Sequence, residues 1–336
     1  MKTFTASAGS RIAGIGGVRG SRVVPNADII EPINSSDEWI QQRTGMVTRK
    51  RATPEESLLW LSVQAAKEAL AAAGVDAKDV DGVILATITH FEQTPALAPA
   101  IAAELGCGPV PAWDISAACA GYCYGIAQAD ALVRAGTNKC VLVIGAERLS
   151  DFIDPTDRSI SFLLGDGAGA AVVVPSDTAG IASSVWGSEG DKAALVGQTS
   201  NWLDYAANPD LKCPTLVQEG PSVFKWAAFT ISEVAKRAIE AAGLRPEDID
   251  VFIPHQANMR IIEKQAQRIG LREDCIVADD IVTTGNTSSA SVPLATQALY
   301  RDGRIKGGEI ALQIGFGAGL AYAAQVVELP RITPAA

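Results

Sequence analysis

The sequence predicts an α/β protein made of two similar halves. Residues 66–85 and 235–254 are identical at nine of twenty positions, at a constant offset of 169 residues. A second pair, residues 141–145 and 311–315, matches in the same order at an offset of 170. One alanine-rich match could reflect helix composition alone, but two ordered matches favour a duplication. We therefore expect an N-terminal half, residues 1–177, packed face to face against a C-terminal half, residues 178–336.

The two halves follow the same order, and each contains a predicted helix before its short strands. The first spans residues 57–73 and follows residues 53–56, Thr-Pro-Glu-Glu, which have the pattern of a capping box with proline in the first turn. Its partner, at about 222–242, repeats apolar residues on one helical face. The two helices should end at Gly74 and Gly243, because glycine is common after a helix C-terminus.

Short apolar runs predict the strands. They are too apolar to face water on either side, so each sheet should lie between layers of helices. Because the runs alternate with helices, we expect mostly parallel sheets with functional groups beyond the carboxyl ends of their strands. The runs are 82–87, 140–145, 169–174, 251–254, 310–314 and 321–327.

Composition excludes several classes of protein. The chain has 336 residues, a net charge of −10 and no block of Lys or Arg, which disfavours binding to nucleic acid. No apolar run reaches the ~18 residues of a membrane-spanning helix, and the N-terminal residues lack the apolar core of a signal peptide. The six cysteines match neither a disulfide framework nor zinc-ligand spacing. We expect a cytoplasmic protein with reduced thiols and no bound metal.

Cys119 is a candidate nucleophile. Small residues surround it, so other backbone segments can approach the thiol closely. Asp114 and Ser116 could begin a helix whose first turns contain Cys119, and a helix N-terminus lowers the pKa of a thiol. The alternative is an inert buried cysteine, which is the preferred interpretation of the other five.

His255 and Asn286 are candidates for the same site. His255 follows the strand predicted at 251–254, where the repeat places Ala86, so the strand itself does not require an imidazole. Asn286 lies in a polar turn, and the 169-residue offset maps Ser288 in that turn onto Cys119. Taken singly, the histidine could be a core residue and the asparagine a turn residue. Together, the three residues on apposed loops indicate a catalytic site more specifically than any one of them does.

Two glycine-rich segments, 165–170 and 315–319, resemble dinucleotide-binding loops. Neither completes the GxGxxG pattern between a strand and a helix, since each continues into an apolar strand. A nicotinamide-dependent enzyme is therefore a weak alternative.

With Cys119, His255 and Asn286 at these positions, the chain closely resembles the β-ketoacyl-acyl carrier protein synthase III family. The members of this family are condensing enzymes of the thiolase fold. Elongating condensing enzymes have a second histidine where this chain has Asn286, so the resemblance favours the priming class. It implies duplicated halves in a layered α-β-α-β-α sandwich, and a homodimer. The matching segments are 35–45, 117–121, 165–170, 255–258, 285–288 and 315–319.

The resemblance implies a decarboxylative Claisen condensation in fatty acid synthesis. Cys119 would take the acyl group from an acyl-CoA primer, with the backbone amides of Cys119 and Ala318 as the oxyanion hole. His255 and Asn286 would stabilise the enolate formed from malonyl-acyl carrier protein. Both thioesters are substrates, so the resemblance implies no cofactor. A polyketide-priming ketosynthase or related acyltransferase is the main alternative, and a non-catalytic binding protein is the third.

The same resemblance assigns the binding residues. Trp39 would stack on the adenine of CoA, with Arg43 and Arg158 beside the nucleotide. Thr94 would enter the acyl pocket of the partner subunit, where its small side chain leaves room for branched primers.

Docking of the carrier protein is assigned to basic residues. Arg260 would contact the carrier protein, and Lys225, Lys264 and Arg268 could extend a local positive surface. A solvated helix face explains Lys264 and Arg268 equally well.

Overall fold

The computed structural model of the chain describes residues 4–331. Its strands are β1 (Gly9–Arg19), β2 (Arg22–Pro25), β3 (Thr48–Arg51), β4 (Gly82–Ala86), β5 (Ala112–Ile115), β6 (Val141–Arg148), β7 (Asp166–Ser176), β8 (Val185–Ser188), β9 (Val196–Gln198), β10 (Leu216–Gln218), β11 (Val251–Pro254), β12 (Ile276–Val277), β13 (Ile310–Gly317) and β14 (Ala321–Glu328). Its helices are α1 (Asp37–Thr44), α2 (Leu58–Ala73), α3 (Ala98–Leu105), α4 (Gly121–Arg134), α5 (Trp202–Ala207), α6 (Gly220–Ala241), α7 (Met259–Ile269), α8 (Ile281–Thr284) and α9 (Ser291–Arg301).

Two five-stranded sheets repeat one topology. The first has the order β1-β7-β6-β4-β5, and the second has the order β8-β14-β13-β11-β12. In each sheet the last three strands are parallel, while the first two run antiparallel to their neighbours. The repeated segments of the sequence therefore fold into repeated sheets.

The expectation of mostly parallel sheets is wrong, since four of the eight strand pairs in these two sheets are antiparallel. Only three residues separate β13 from β14. A parallel crossover needs about a dozen residues or more, so this short connection forces a hairpin. The same arrangement recurs between β6 and β7 with a longer connection.

The helices complete an α-β-α-β-α sandwich, which confirms the expected fold class. Helices α4 and α9 lie between the two sheets and share one hydrophobic cluster with both. Helices α2 and α3 cover the outer face of the first sheet. Helices α6 and α7 cover the outer face of the second. The carboxyl ends of the parallel strands thus meet near the ends of the inner helices.

Helix α2 begins one turn later than the predicted capping box. Its N-cap is Ser57, whose hydroxyl accepts the backbone N–H of Trp60. Residues 53–56 precede the helix as a turn, in which the Glu56 carboxylate accepts the N–H of Thr53 at 2.8 Å. The predicted end is confirmed, with Gly74 at φ 64°.

Candidate active site

Cys119 lies in a 3₁₀ turn of residues 118–120, the Cys119 turn, between β5 and α4. The prediction that Asp114 and Ser116 begin the helix containing Cys119 is wrong. The Asp114 carboxylate instead accepts the N–H groups of Leu97 and Ala98 at the start of α3. Helix α4 begins at Gly121, so Cys119 lies just before its first residue.

Two glycines of β13, Gly315 and Gly317, pack closely against the Cys119 turn. A Cβ atom on Gly317 would lie 2.8 Å from the Cβ of Cys119 and 2.9 Å from its Sγ. A Cβ atom on Gly315 would lie 2.9 Å from the carbonyl oxygen of Cys119. Real side chains do not tolerate such distances, so only glycine lets this strand approach the thiol. The glycine-rich segment 315–319 thus serves the site by close approach.

His255 follows β11 and is buried. Its Nδ1 lies 2.7 Å from the hydroxyl of Ser291, and its ring packs edge-on against Phe316 with centroids 5.3 Å apart. Burial lowers the pKa of His255 to about 3, so the imidazole is neutral near pH 7.

Asn286 is held by its backbone and by one side-chain oxygen. Its N–H donates to Leu163 and its carbonyl accepts from Gly165, both at 2.8 Å. Its Oδ1 accepts the N–H of Ser288 at 2.8 Å. This bond fixes the orientation of the amide and leaves the Nδ2 donors for other partners.

Cys119, His255 and Asn286 line one cavity of about 720 Å³. Its wall is mainly apolar and includes Ile88, Leu149, Leu216 and Phe316. Five other predicted residues also line it. They are Trp39, Arg43, Arg158, Arg260 and Ala318.

The remaining predicted residues lie outside this lining. Lys225 and Thr94 are exposed, and Lys264 is half-buried with its ammonium donating to Gln267. Arg268 stacks on Phe229, its guanidinium carbon 4.4 Å from the ring centroid. The structure therefore separates the residues at the cavity from those on the surrounding surface.

Trp39 is covered by the two arginines predicted to lie beside it. The guanidinium carbons of Arg43 and Arg158 are 4.8 and 4.6 Å from its ring centroid. Phe162 packs edge-on against the same ring at 5.4 Å. A planar ligand at this position must therefore stack on a guanidinium or displace one.

The thiol of Cys119 is not acidified in this structure, contrary to the expected effect of a helix N-terminus. Burial raises its pKa to about 12, the Ser288 hydroxyl opposes this shift, and the charge of Glu147 adds to it. Loss of solvation outweighs the favourable local groups. The resting pair is therefore a neutral thiol and a neutral imidazole.

Glu147, at the end of β6, is a site residue that the sequence reasoning missed. It is fully buried, and both of its oxygens contact other polar groups. The available signal was an acidic residue directly after the apolar run 141–146. Buried carboxyl groups are uncommon unless they have partners.

No group of three or more His, Cys, Asp or Glu side chains in residues 4–331 is arranged to hold a metal ion. No helix in that range has the length and apolar character needed to cross a membrane. All six cysteines are free thiols.

Comparison with solved structures assigns the architecture to the thiolase-fold condensing enzymes. The priming β-ketosynthase from the R1128 polyketide pathway matches with a TM-score of 0.97 and 44% identity, covering 99% of each chain. The 3-oxoacyl-[acyl-carrier-protein] synthase III of Aquifex aeolicus matches with a TM-score of 0.87 and 36% identity, covering 95% of this chain and all of that one.

Sequence comparison then identifies the family. The family profile of 3-oxoacyl-[acyl-carrier-protein] synthase III matches residues 113–190, and its C-terminal profile matches residues 239–329. The β-ketoacyl-[acyl-carrier-protein] synthase III 1 of Streptomyces coelicolor is 51% identical over 331 residues, 96% of each chain. The mycobacterial β-ketoacyl-[acyl-carrier-protein] synthase III of Mycobacterium marinum is 50% identical over 94% of each chain. This chain belongs to the β-ketoacyl-acyl carrier protein synthase III family, and it is a condensing acyltransferase of fatty acid or polyketide priming.

Proposed function

We propose that the protein condenses an acyl-CoA primer with malonyl-acyl carrier protein to give a 3-ketoacyl-acyl carrier protein, as the first condensation of fatty acid synthesis. The observation that carries this proposal is the meeting of Cys119, His255 and Asn286 in one apolar cavity. A thiol, a neutral imidazole and an amide supply a nucleophile and two hydrogen-bond donors.

The first half-reaction acylates Cys119. The thiol loses its proton, the thiolate attacks the thioester carbonyl, and CoA leaves as the thiol after taking up a proton. The N-terminal end of α4 favours the thiolate. The backbone amides of Cys119 and Ala318 hold the developing oxyanion, which Gly317 permits by its close approach.

The second half-reaction forms the carbon–carbon bond. Malonyl-acyl carrier protein loses carbon dioxide, and the resulting enolate attacks the acyl-Cys119 carbonyl, which releases the thiolate. His255 and Asn286 donate hydrogen bonds to the enolate oxygen. The Ser291 hydroxyl accepts the N–H of Gln256 at 3.3 Å and can donate to Nδ1, which leaves the proton of His255 on Nε2.

Substrate binding is proposed for residues at the cavity mouth. Trp39, Arg43 and Arg158 would hold the CoA nucleotide, with the guanidiniums opposite its phosphates. No cofactor is proposed, because each substrate brings its own activated thioester. The free cysteines agree with a cytoplasmic location.

The carrier protein would dock on a basic surface formed by Arg260, Lys225 and Lys264. Arg260 lines the cavity and stacks near Phe224, its guanidinium carbon 5.6 Å from the ring centroid. Thr94 would complete the acyl pocket of a partner subunit in a homodimer, and its exposure in the single chain agrees with this role.

A polyketide-priming ketosynthase is the second candidate. The TM-score of 0.97 to the R1128 priming enzyme favours it. Both candidates use the same acyl-Cys chemistry, so the carrier protein and the primer distinguish them. Higher kcat/KM with a polyketide carrier protein than with a fatty acid carrier protein would favour this second candidate.

Intact-protein mass spectrometry tests the proposal directly. The protein is mixed with a panel of acyl-CoAs and then chased with malonyl-acyl carrier protein. An acyl adduct on Cys119 that the chase removes, with a 3-ketoacyl product, is the expected result. An adduct that malonyl-acyl carrier protein cannot remove indicates another acceptor. The absence of any adduct contradicts Cys119 as the nucleophile and favours a binding protein.

The variant Asn286→Ala separates the two half-reactions. Because Asn286 is proposed to act on the enolate, the variant should still form the adduct while losing about 10²-fold or more in condensation rate. Equal loss of both half-reactions would contradict this division of roles.

A further inference from the structure

Helix α1 carries two of the residues that are proposed to hold the CoA nucleotide, Trp39 and Arg43. It has only eight residues, of which Ile40 and Thr44 are buried. Isolated helices of this length are marginal in water, so contacts with other segments must hold α1 in place. The polar contacts at its two ends therefore decide where Trp39 and Arg43 lie.

One buried carboxamide, that of Asn26, contacts the chain at both ends of α1. Its Nδ2 donates to Oδ1 of Asp37, the first residue of the helix, at 2.6 Å. The same Nδ2 donates to the backbone carbonyl of Met46, two residues beyond the end of the helix, at 2.9 Å. Asn26 is 2% exposed. It thus clamps the two ends of α1 to a single point.

Arg49, a fully buried residue of β3, fixes the orientation of this carboxamide. Its Nη2 donates to Oδ1 of Asn26 at 2.6 Å, and its Nη1 donates to the carbonyl of Val24 at 3.1 Å. A guanidinium can only donate and a carboxylate can only accept, so the amide between Arg49 and Asp37 has one possible orientation. The contacts therefore connect the β2–β3 pair through Asn26 to the start of α1.

The charges at the two ends of this connection strengthen it. Hydrogen bonds from Gln41 and Asn26 lower the pKa of Asp37, so this side chain is a carboxylate near pH 7. Burial lowers the pKa of Arg49 to about 10, which still leaves its guanidinium charged. Asn26 is thus a neutral amide that bonds to a cation on one side and an anion on the other. Hydrogen bonds with a charged partner are stronger than those between neutral groups.

We propose that Asn26 and Asp37 are positioning residues for the CoA nucleotide, because their hydrogen bond holds α1 so that Trp39 and Arg43 lie at the cavity mouth. Trp39 and Arg43 line the cavity, whereas Asn26 and Asp37 do not. The proposal rests on the proposed function, which places the nucleotide at Trp39.

The far end of α1 has a second attachment. The Nδ2 of Asn258 donates to the carbonyl of Arg43 at 3.0 Å. Loss of the bond between Asn26 and Asp37 therefore displaces the start of the helix, where Trp39 lies, while its end stays attached. Asp37 is exposed, so its replacement should leave the rest of the fold intact.

Two thioesters that differ only in the nucleotide test the proposal. Intact-protein mass spectrometry gives the second-order rate constant for acylation of Cys119 by acetyl-CoA and by S-acetylpantetheine, which has the same thioester arm without the nucleotide. The wild type should react faster with acetyl-CoA. Asp37→Ala should be about tenfold slower than the wild type with acetyl-CoA and within about twofold of it with S-acetylpantetheine, since only acetyl-CoA uses Trp39.

The direction of the change separates positioning from charge. Removing a carboxylate beside the site of a polyanion would by itself favour acetyl-CoA, so a slower reaction of Asp37→Ala must come from displacement of the helix. Asp37→Asn removes the same charge but keeps an oxygen that accepts from Asn26. It should react with acetyl-CoA at least as fast as the wild type.

Gln41→Ala is the matched control within the helix. It removes the bond from Nε2 of Gln41 to Oδ2 of Asp37 at 2.8 Å and leaves the bond from Asn26 intact, so both rate constants should match the wild type. Asn26→Ala removes the whole clamp and should show at least the selective loss of Asp37→Ala. Arg49 is unsuitable for this test, because its Cβ also packs against Gly285, next to Asn286.

Binding of CoA, measured by isothermal titration calorimetry, provides a readout that does not depend on Cys119. Its Kd should rise about tenfold in Asp37→Ala and should not rise in Asp37→Asn. These differences in a chain that forms no acyl adduct would contradict the proposed function and support the positioning role.

Other outcomes overturn the proposal. Asp37→Ala with the wild-type preference for acetyl-CoA would show that the clamp does not position the nucleotide site. Equal losses with both thioesters would indicate a general structural role. A wild type that reacts equally fast with both thioesters would contradict the placement of the nucleotide at Trp39, and the positioning role would fail with it.

Discussion

The Cys119 turn and the turn of residues 288–290, the Ser289 turn, share one backbone but have different surroundings. Each is a 3₁₀ turn before an inner helix, and each begins with a non-glycine residue at positive φ, Ala118 at 45° and Ser288 at 48°. Each also rests on a glycine of the opposite sheet. A Cβ atom on Gly315 would meet the carbonyl oxygen of Cys119 at 2.9 Å, and one on Gly145 would meet that of Ser289 at 2.4 Å.

The difference lies two residues further along these strands. At the 170-residue offset of the repeat, Gly317 corresponds to Glu147. Gly317 lies against Cys119 without a side chain of its own, and both residues line the cavity. Glu147 fills the equivalent space above Ser289 and contacts its hydroxyl. The duplicated scaffold thus has two equivalent positions, of which the one at Cys119 borders the cavity and the one at Ser289 is occupied by Glu147.

The largest effect is expected when the thiol of the Cys119 turn is removed. Cys119→Ala should lower condensation by about 10³-fold or more, because Cys119 is the cysteine among the residues that line the cavity and a thiolate is a far better nucleophile than the hydroxyls there. Adduct formation by mass spectrometry and product formation are the measurements. Cys213→Ala, which removes an exposed cysteine, is the control and should behave as the wild type. A normal acyl adduct in Cys119→Ala would contradict the assignment of the nucleophile to the Cys119 turn.

Adding a methyl group to each strand glycine should have different effects on the two turns. Gly317→Ala places the methyl against the side chain of Cys119, so acylation should fall by about 10²-fold. Gly145→Ala places it against the backbone of Ser289, so the main loss should be in the free energy of unfolding.

Acylation rates and urea unfolding measure these two effects. Gly190→Ala, where a Cβ atom would meet nothing within 4 Å, is the control for both. If Gly317→Ala acylates at the wild-type rate, the close approach of this strand has no part in catalysis.

The segments that follow the equivalent strands β4 and β11 also differ. His255 follows β11 directly into the cavity, whereas the segment after β4 leads to exposed Thr94. Thr94→Phe should lower turnover of isobutyryl-CoA by about tenfold and that of acetyl-CoA much less, because the ring would occupy the acyl pocket of the partner subunit. Thr178→Phe, at another exposed threonine, is the control. Unchanged selectivity in Thr94→Phe would contradict the assignment of Thr94 to that pocket.

The smallest expected effect is on the pH dependence of stability. Burial lowers the pKa of His255 from 6.5 to about 3, so the unfolded chain binds a proton that the folded chain does not, and stability falls as the pH drops below about 6.5. Burial raises the pKa of Glu147 from 4.5 to about 7, so its contribution falls as the pH rises between those values. Between pH 5 and 6 the two contributions oppose each other.

Glu147→Gln should remove one of these opposed contributions. Its free energy of unfolding should then decrease on acidification more steeply than that of the wild type, by up to about 1.4 kcal/mol per pH unit between pH 6 and 5. Urea unfolding at several pH values is the measurement, and exposed Glu273→Gln is the control. Parallel pH profiles of variant and wild type would contradict a neutral Glu147 in the folded state.

The sequence by itself determined the repeat, most of the strands and the long helices, and the three residues Cys119, His255 and Asn286. These features are local, because apolar periodicity and the identity of a residue at the end of a strand do not depend on distant segments. The repeat offset also related the two turns. The sequence paired Cys119 with Ser288, whereas the structure pairs it with Ser289, one residue further on.

Tertiary structure decided the rest. It set the direction of the pKa shift at Cys119, where burial outweighs the helix N-terminus, and it reassigned Asp114 to the start of α3. It also brought Glu147 to Ser289, which is 142 residues away in sequence. Burial and hydrogen bonding at these positions depend on segments from both halves of the chain, and the local sequence carries no record of which segments will meet.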